Sequence, residues 1–337
     1  MSLFVSLLLT CIAMLYVKPN FQVAFHGVYY AQLSLHPFDF TLSNPLHYRF
    51  LGPLIGYVTF LKGDLYFFVP LVFAVLLLSA IYVHFRKRNF SFLESIIPAA
   101  VVAFSCTEFI PMRAAGYVDS ITFYFLFLAF SFIKRPALSA LFFGVALMCH
   151  ECSFFLLPGL MVYANYSDNK NIFKLNNKHT LYLLACIPYI VSRYYISIHT
   201  EVEYKLSFYL SADNIKNNLL NILPLIIPGL FFAFKLFWIY PISVLVNELK
   251  YRRNKLVLVF ILIAIPVMGQ LIIAYDVTRL LCLLFPVLLI SIYQVKENMK
   301  GYTFIKIGFL LILVNFLIPQ YFASSYALHY MSPYFMK

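Results

Sequence analysis

Carboxylates, imidazoles and guanidiniums break an otherwise apolar 337-residue chain at a few places, and their spacing invites chemistry. Glu108, Arg113 and Asp119 lie close together, and Asp276 and Arg279 are three residues apart. His150-Glu151 interrupts about 30 apolar residues, and Arg193 sits one turn below the end of a hydrophobic run. An earlier segment adds His26, His36, Asp39, His47 and Arg49. The guanidinium fork matches two phosphate oxygens at once, which an ammonium cannot do. A neighbouring carboxylate could take the proton of an acceptor hydroxyl, and grouped acids could hold a divalent cation such as Mg or Mn. Together these groups suit a lipid-borne phosphate meeting a polar acceptor at a membrane surface. Each also has an ordinary structural role open to it. Asp276 and Arg279 could pair at a helix end, Glu108 and Arg113 could be a boundary pair, and Asp39 could cap a helix beginning near Thr41. Cys149-x-x-Cys152 brackets His150-Glu151, but no second Cys/His cluster supplies further ligands. Both thiols therefore read as packed apolar groups, and no metal site is assigned.

The elements that must position these groups follow from composition. The chain is 63% apolar and 11% charged with a mean hydropathy of +0.85, which excludes a water-soluble globule. Its apolar runs are continuous rather than alternating, which excludes an outer-membrane barrel and leaves an all-α polytopic membrane protein. The net charge of +12 sits in short clusters between apolar runs, so it marks cytoplasmic loops and not a nucleic-acid face. The pattern predicts a retained first span over 3–17 and a long first outer loop with amphipathic helices over 18–64. Spans follow at about 65–83, 92–109 and 118–133. Residues 136–165 form a short helical pair with His150-Glu151 at its tip, and further spans run at 180–197, 218–249, 256–274, 280–294 and 303–318. A second outer loop covers 198–217. That is about eleven crossings in a single transmembrane domain over 1–337, some short or kinked. The predicted cytoplasmic loops carry a net +10 and the outer segments a net of zero, which predicts N-in, C-out.

With these features the chain resembles the C-type superfamily of membrane glycosyltransferases (GT-C), which use polyprenyl-phosphate sugars. The resemblance lies in the long first outer segment with Tyr48-Arg49-Phe50-Leu51-Gly52-Pro53-Leu54 and in the Gly116-Tyr117-Val118-Asp119 step. It extends to His150-Glu151 heading a short helix that ends in Leu157-Pro158, and to Asp276-Val277-Thr278-Arg279-Leu280-Leu281 before Phe285-Pro286. The first outer segment lacks an Asp-x-Asp pair, so Asp39 is the available acid there, and no soluble C-terminal domain is expected. The resemblance implies Asp39 as base and Arg279, Arg113 and Arg193 as phosphate holders. It further implies that Glu108, Asp119, Asp276, His150, Glu151, Arg49 and His26 position sugar, acceptor or a metal. The implied partners are a polyprenyl-phosphate-linked sugar donor, a glycan or glycolipid acceptor and membrane lipid. The implied location is the cytoplasmic membrane of a bacterium, with the active site facing outward. Two alternatives share the inventory: an O-antigen or exopolysaccharide polymerase acting on polyprenyl-diphosphate glycans, and a lipid-linked oligosaccharide flippase. The first outer loop is the longest, which favours the transferase. Charges gathered on one side without a repeat disfavour a transporter.

Overall fold

The computed structural model describes residues 1–40, 46–168, 171–200, 211–252, 254–324 and 326–333. The helix start expected near Thr41 and the middle half of the 198–217 loop, residues 201–210, lie outside the described residues. The first helices are α1 (Ser2–Tyr16), α2 (His26–Leu35), α3 (Leu51–Val58), α4 (Phe68–Arg86) and α5 (Phe92–Ala103). They are followed by α6 (Cys106–Arg113), α7 (Asp119–Ser131), α8 (Pro136–Cys149), α9 (Leu157–Ser167) and α10 (Asn177–His199). The second half holds α11 (Ala212–Phe234), α12 (Ile239–Lys250), α13 (Asn254–Gly269), α14 (Val277–Leu281), α15 (Phe285–Glu297) and α16 (Gly301–Leu317). Among the described residues, sheet is confined to a terminal hairpin of β1 (Gln320–Ser324) and β2 (Ala327–Met331), with Gln320 opposite Met331. The hairpin's β1 packs on α11 and α14.

Among the described residues, five helical runs are long and apolar enough to cross a membrane: Gly63–Arg86, Asn177–His199, Ala212–Lys250, Asn254–Ile272 and Val277–Glu297. The α5–α6 pair, bent by 49°, makes a sixth if it is one span, and α1, α7, α8 and α16 are shorter apolar helices. The protein is therefore all-α and of membrane type. Its outer surface gives the physical reason. On α10, Leu183, Ile190 and Val191 are more than half exposed, and Ile227 on α11 is 79% exposed. Water would penalise such a continuous apolar surface, and hydrocarbon does not. Val277–Glu297 is by contrast almost wholly buried and forms the centre of the bundle.

Breaks in the helices have local causes. At α5, Ser91 forms a capping box with Glu94, whose Oε2 accepts from the Ser91 N–H at 2.7 Å. The bend before α6 falls at Ser105, whose hydroxyl accepts from Thr107 N–H and starts a new helix. Between α11 and α12 the chain turns at Lys235, which has a φ of +48°. The polar groups opened there are satisfied by α16: Asn315 Oδ1 accepts from Leu236 N–H at 3.0 Å, and its Nδ2 donates to Phe234 C=O at 3.2 Å. The buried Lys235 ammonium donates to the Tyr16 hydroxyl and to the Asn315 and Ile318 carbonyls. Backbone groups in hydrocarbon need such partners.

Candidate functional site

One arm of the site begins at a close approach of backbones. After α6 the chain turns through Gly116, whose φ of +94° suits glycine, and α2 lies directly against this turn. A Cβ on Gly27 would stand 2.1 Å from the Ala115 carbonyl oxygen, so only glycine permits the contact. The approach stacks the His26 ring on Tyr117, with centroids 5.5 Å apart and planes 9° apart. The Arg279 guanidinium lies 5.3 Å from the centre of the same Tyr117 ring. Arg279 is itself buried, with Nη1 3.1 Å from Asp276 Oδ2 and Nε 3.6 Å from Asp119 Oδ1. Its Nε has no hydrogen-bond partner among the described residues. Asp276 also accepts from the Ser324 hydroxyl, and Thr278 Oγ1 accepts from Ala323 N–H at 2.8 Å, so the terminal hairpin fixes this loop. Burial alone would raise the Asp276 carboxyl. The Arg279 charge and the Ser324 bond outweigh it and hold Asp276 below its ordinary range.

The second arm joins the first outer segment to the α8–α9 turn. Arg49 embraces Glu151 with both prongs, Nε donating to Oε2 at 2.8 Å and Nη2 to Oε1, while Nη1 donates to the Tyr30 hydroxyl at 3.0 Å. Burial raises Glu151, but Arg49 overrides it and keeps this carboxylate well below its usual range. Beside it, His150 Nδ1 accepts from Cys152 N–H at 3.2 Å and caps the turn Glu151–Leu156. An Nδ1 that accepts carries no proton, so its 3.6 Å approach to Glu151 Oε2 is not an ion pair. Burial, then the Arg49 charge, keeps His150 neutral, and its Nε2 N–H is buried without a partner among the described residues. His26 is more exposed, but partial desolvation and then the Arg279 and Arg49 charges lower it as well. Electrostatic reach connects the arms: Arg49 acts on Asp119 and Asp276, and Arg279 acts on His150.

Seven of the residues expected to do chemistry therefore converge: His26, Arg49, Asp119, His150, Glu151, Asp276 and Arg279. Arg193 stands nearby, its guanidinium 4.3 Å from the Tyr48 ring centre and donating to the Tyr189 hydroxyl at 2.7 Å. Three others are not part of these pairings. Arg113 is exposed at the end of α6. Glu108 is fully buried, and neither of its oxygens has a hydrogen-bond partner among the described residues. Asp39 is half-buried, its carbonyl accepting from His47 Nε2 at 3.1 Å; the ion pairs of Arg49 and Arg279 run to Glu151, Asp119 and Asp276 instead. Sequence reasoning did not single out Tyr30, Tyr117 or Ser324 as site residues. Tyrosine is too common here, at 26 copies, for any one to stand out, and Ser324 matters only through the hairpin.

This donor set does not fit the divalent cation considered above. The three carboxylates are engaged with two guanidiniums, and among the described residues no three His, Cys, Asp or Glu side chains gather as ligands. Cys149 and Cys152 are buried free thiols. Comparison of the chain with protein-family models, with curated proteins and with solved structures finds no match in any of the three.

Proposed function

We propose that the chain is a glycosyltransferase of the cytoplasmic membrane of a bacterium, with about eleven crossings, N-in and C-out. In this reading it moves a sugar from a polyprenyl-phosphate donor to a glycan or glycolipid acceptor at the outer face. The observation that carries the proposal is the meeting of two guanidiniums, half-buried Arg49 and buried Arg279, with three carboxylates and two neutral imidazoles drawn from five chain segments. Arg279 has donor capacity left for a phosphate oxygen, and buried ionisable groups in a membrane protein mark sites of function. The acceptor hydroxyl oxygen bonds to the anomeric carbon, the bond from that carbon to the phosphate oxygen breaks, and polyprenyl phosphate leaves. The hydroxyl proton passes to a carboxylate. Arg49 holds Glu151 and lowers its basicity, and the base assigned is Asp39, as the resemblance implies. The single displacement inverts the anomeric centre.

The test is transfer of radiolabelled sugar from undecaprenyl-phosphate hexoses and pentoses by the purified, reconstituted protein. Asp39→Asn is expected to lower turnover by roughly 10²–10⁴-fold with normal folding. Near-normal turnover would move the base to Asp119 or Glu151. Transfer only from diphosphate-linked glycans would make the protein a polymerase instead.

A further inference from the structure

A cavity among the described residues lies away from this site. It encloses about 510 Å³ between the ends of α4, α7, α9 and α15, within the range of small-molecule pockets. Helix α7 begins at Asp119 in the site described above and ends at Ser131 on the cavity wall. That separation is about 18 Å at the helical rise, so the two lie at opposite ends of the bundle.

The lining divides sharply. Arg88, Lys134 and His84 are its basic members, and among the described residues no Asp or Glu lines it. The Arg88 guanidinium is placed by the Tyr293 ring, 4.9 Å from its centre. The Ser131 hydroxyl oxygen is buried and has no hydrogen-bond partner among the described residues, and it borders this space. The rest of the wall is mixed: Phe85, Phe127, Phe130, Phe285 and Leu289 form an aromatic and apolar side, and Asn89, Tyr166, Ser167 and Gln294 add polar groups. A basic rim without compensating acids selects an anion, and a phenylalanine-rich wall selects hydrocarbon. The rim also lies where Arg86-Lys87-Arg88 and Lys134-Arg135 end their helices, the position of lipid headgroups.

We propose that this cavity binds a lipid phosphate, a phosphate monoester carried on an apolar chain. Arg88 and Lys134 hold the phosphate, Ser131 donates to it, and Phe127, Phe130 and Phe285 take the first part of the chain. The ligand chemistry is shared with free phosphate, and the aromatic wall is the reason to choose the lipid. The site is independent of the transfer reaction proposed above and stands or falls separately.

Native mass spectrometry of the full chain released from detergent micelles tests this, with dioctanoyl phosphatidic acid as probe. Saturable binding of one lipid is expected, weakened at least tenfold in the Arg88→Gln/Lys134→Gln double variant and several-fold in Lys134→Gln alone, at exposed Lys134. Arg135→Gln, also at an exposed position but outside the lining, is expected to bind as the unmodified chain does. Dioctanoyl phosphatidylcholine should not compete. Equal binding by both Gln variants, or equal competition by phosphatidylcholine, overturns the proposal. Displacement of the lipid by inorganic phosphate at matching concentration also overturns it, and assigns the cavity to a soluble anion.

Discussion

Arg279 is a buried cation and Arg49 a half-buried one, and their surroundings ask different things of them. Arg279 shares its guanidinium between Asp119 and Asp276 and still has an unbonded Nε, so it is the group with capacity for a ligand. Arg279→Lys keeps the charge and loses the fork. Sugar transfer should fall roughly tenfold or more, with expression and melting temperature retained; full activity would rule out bidentate phosphate binding. Arg49 is instead saturated by Glu151 and Tyr30 and acts as a structural cross-link. Glu151→Gln leaves that cation without its charge partner. The Glu151 side chain is 37% exposed, so solvent screening reduces the expected loss to about 1–2 kcal/mol. The pH dependence has a definite sign. Folding lowers Glu151 below its ordinary value of 4.5, so its stabilisation is complete above that pH and is lost as pH falls further. Melting curves of the two proteins should differ by a constant amount from pH 7 to 6 and converge in acid. A gap that grew on acidification would contradict the pairing. At this scale the sequence was informative because charges stand out against an apolar background. Hydroxyl partners such as Tyr30 and Ser324 did not, since nothing in their neighbours marks them.

Positions of helices were readable from apolar runs, but what joins them was not. The α5–α6 bend depends on a single serine cap, and the β1–β2 hairpin exists because α11 and α14 offer it a surface. Neither leaves a periodic trace. The contact of α2 with the Gly116 turn is of the same kind: the sequence shows two glycines, and only the fold brings them together. Gly27→Ala tests it. The methyl would press on a backbone oxygen that cannot rotate away, so α2 must shift and the His26–Tyr117 stack must open. A stability loss of about 1–3 kcal/mol is expected, accompanied by lost transfer activity. A variant as stable and active as the parent would mean that α2 does not need this approach.

Taken whole, the molecule has two chemically different ends. The polar cluster occupies one, and the cavity bordered by Arg88 and Lys134 occupies the other. The charge rule assigns the Arg88 end to the cytoplasm. Alkaline-phosphatase fusions after Arg88 should be inactive and fusions after Lys337 active; the reverse pattern would invert the proposed orientation and place the sugar-transfer site inside the cell. The broken run at Lys235 bears on how such a molecule can be made. Its ammonium and the backbone groups beside it depend on Asn315 and Ile318, which leave the ribosome about 80 residues later. Until then the peptide groups beside Lys235 lack these partners, and its ammonium has only the Tyr16 hydroxyl to receive it. Biogenesis must therefore keep this half-built segment in a wet or chaperoned place, at the insertion machinery, until the last helix arrives.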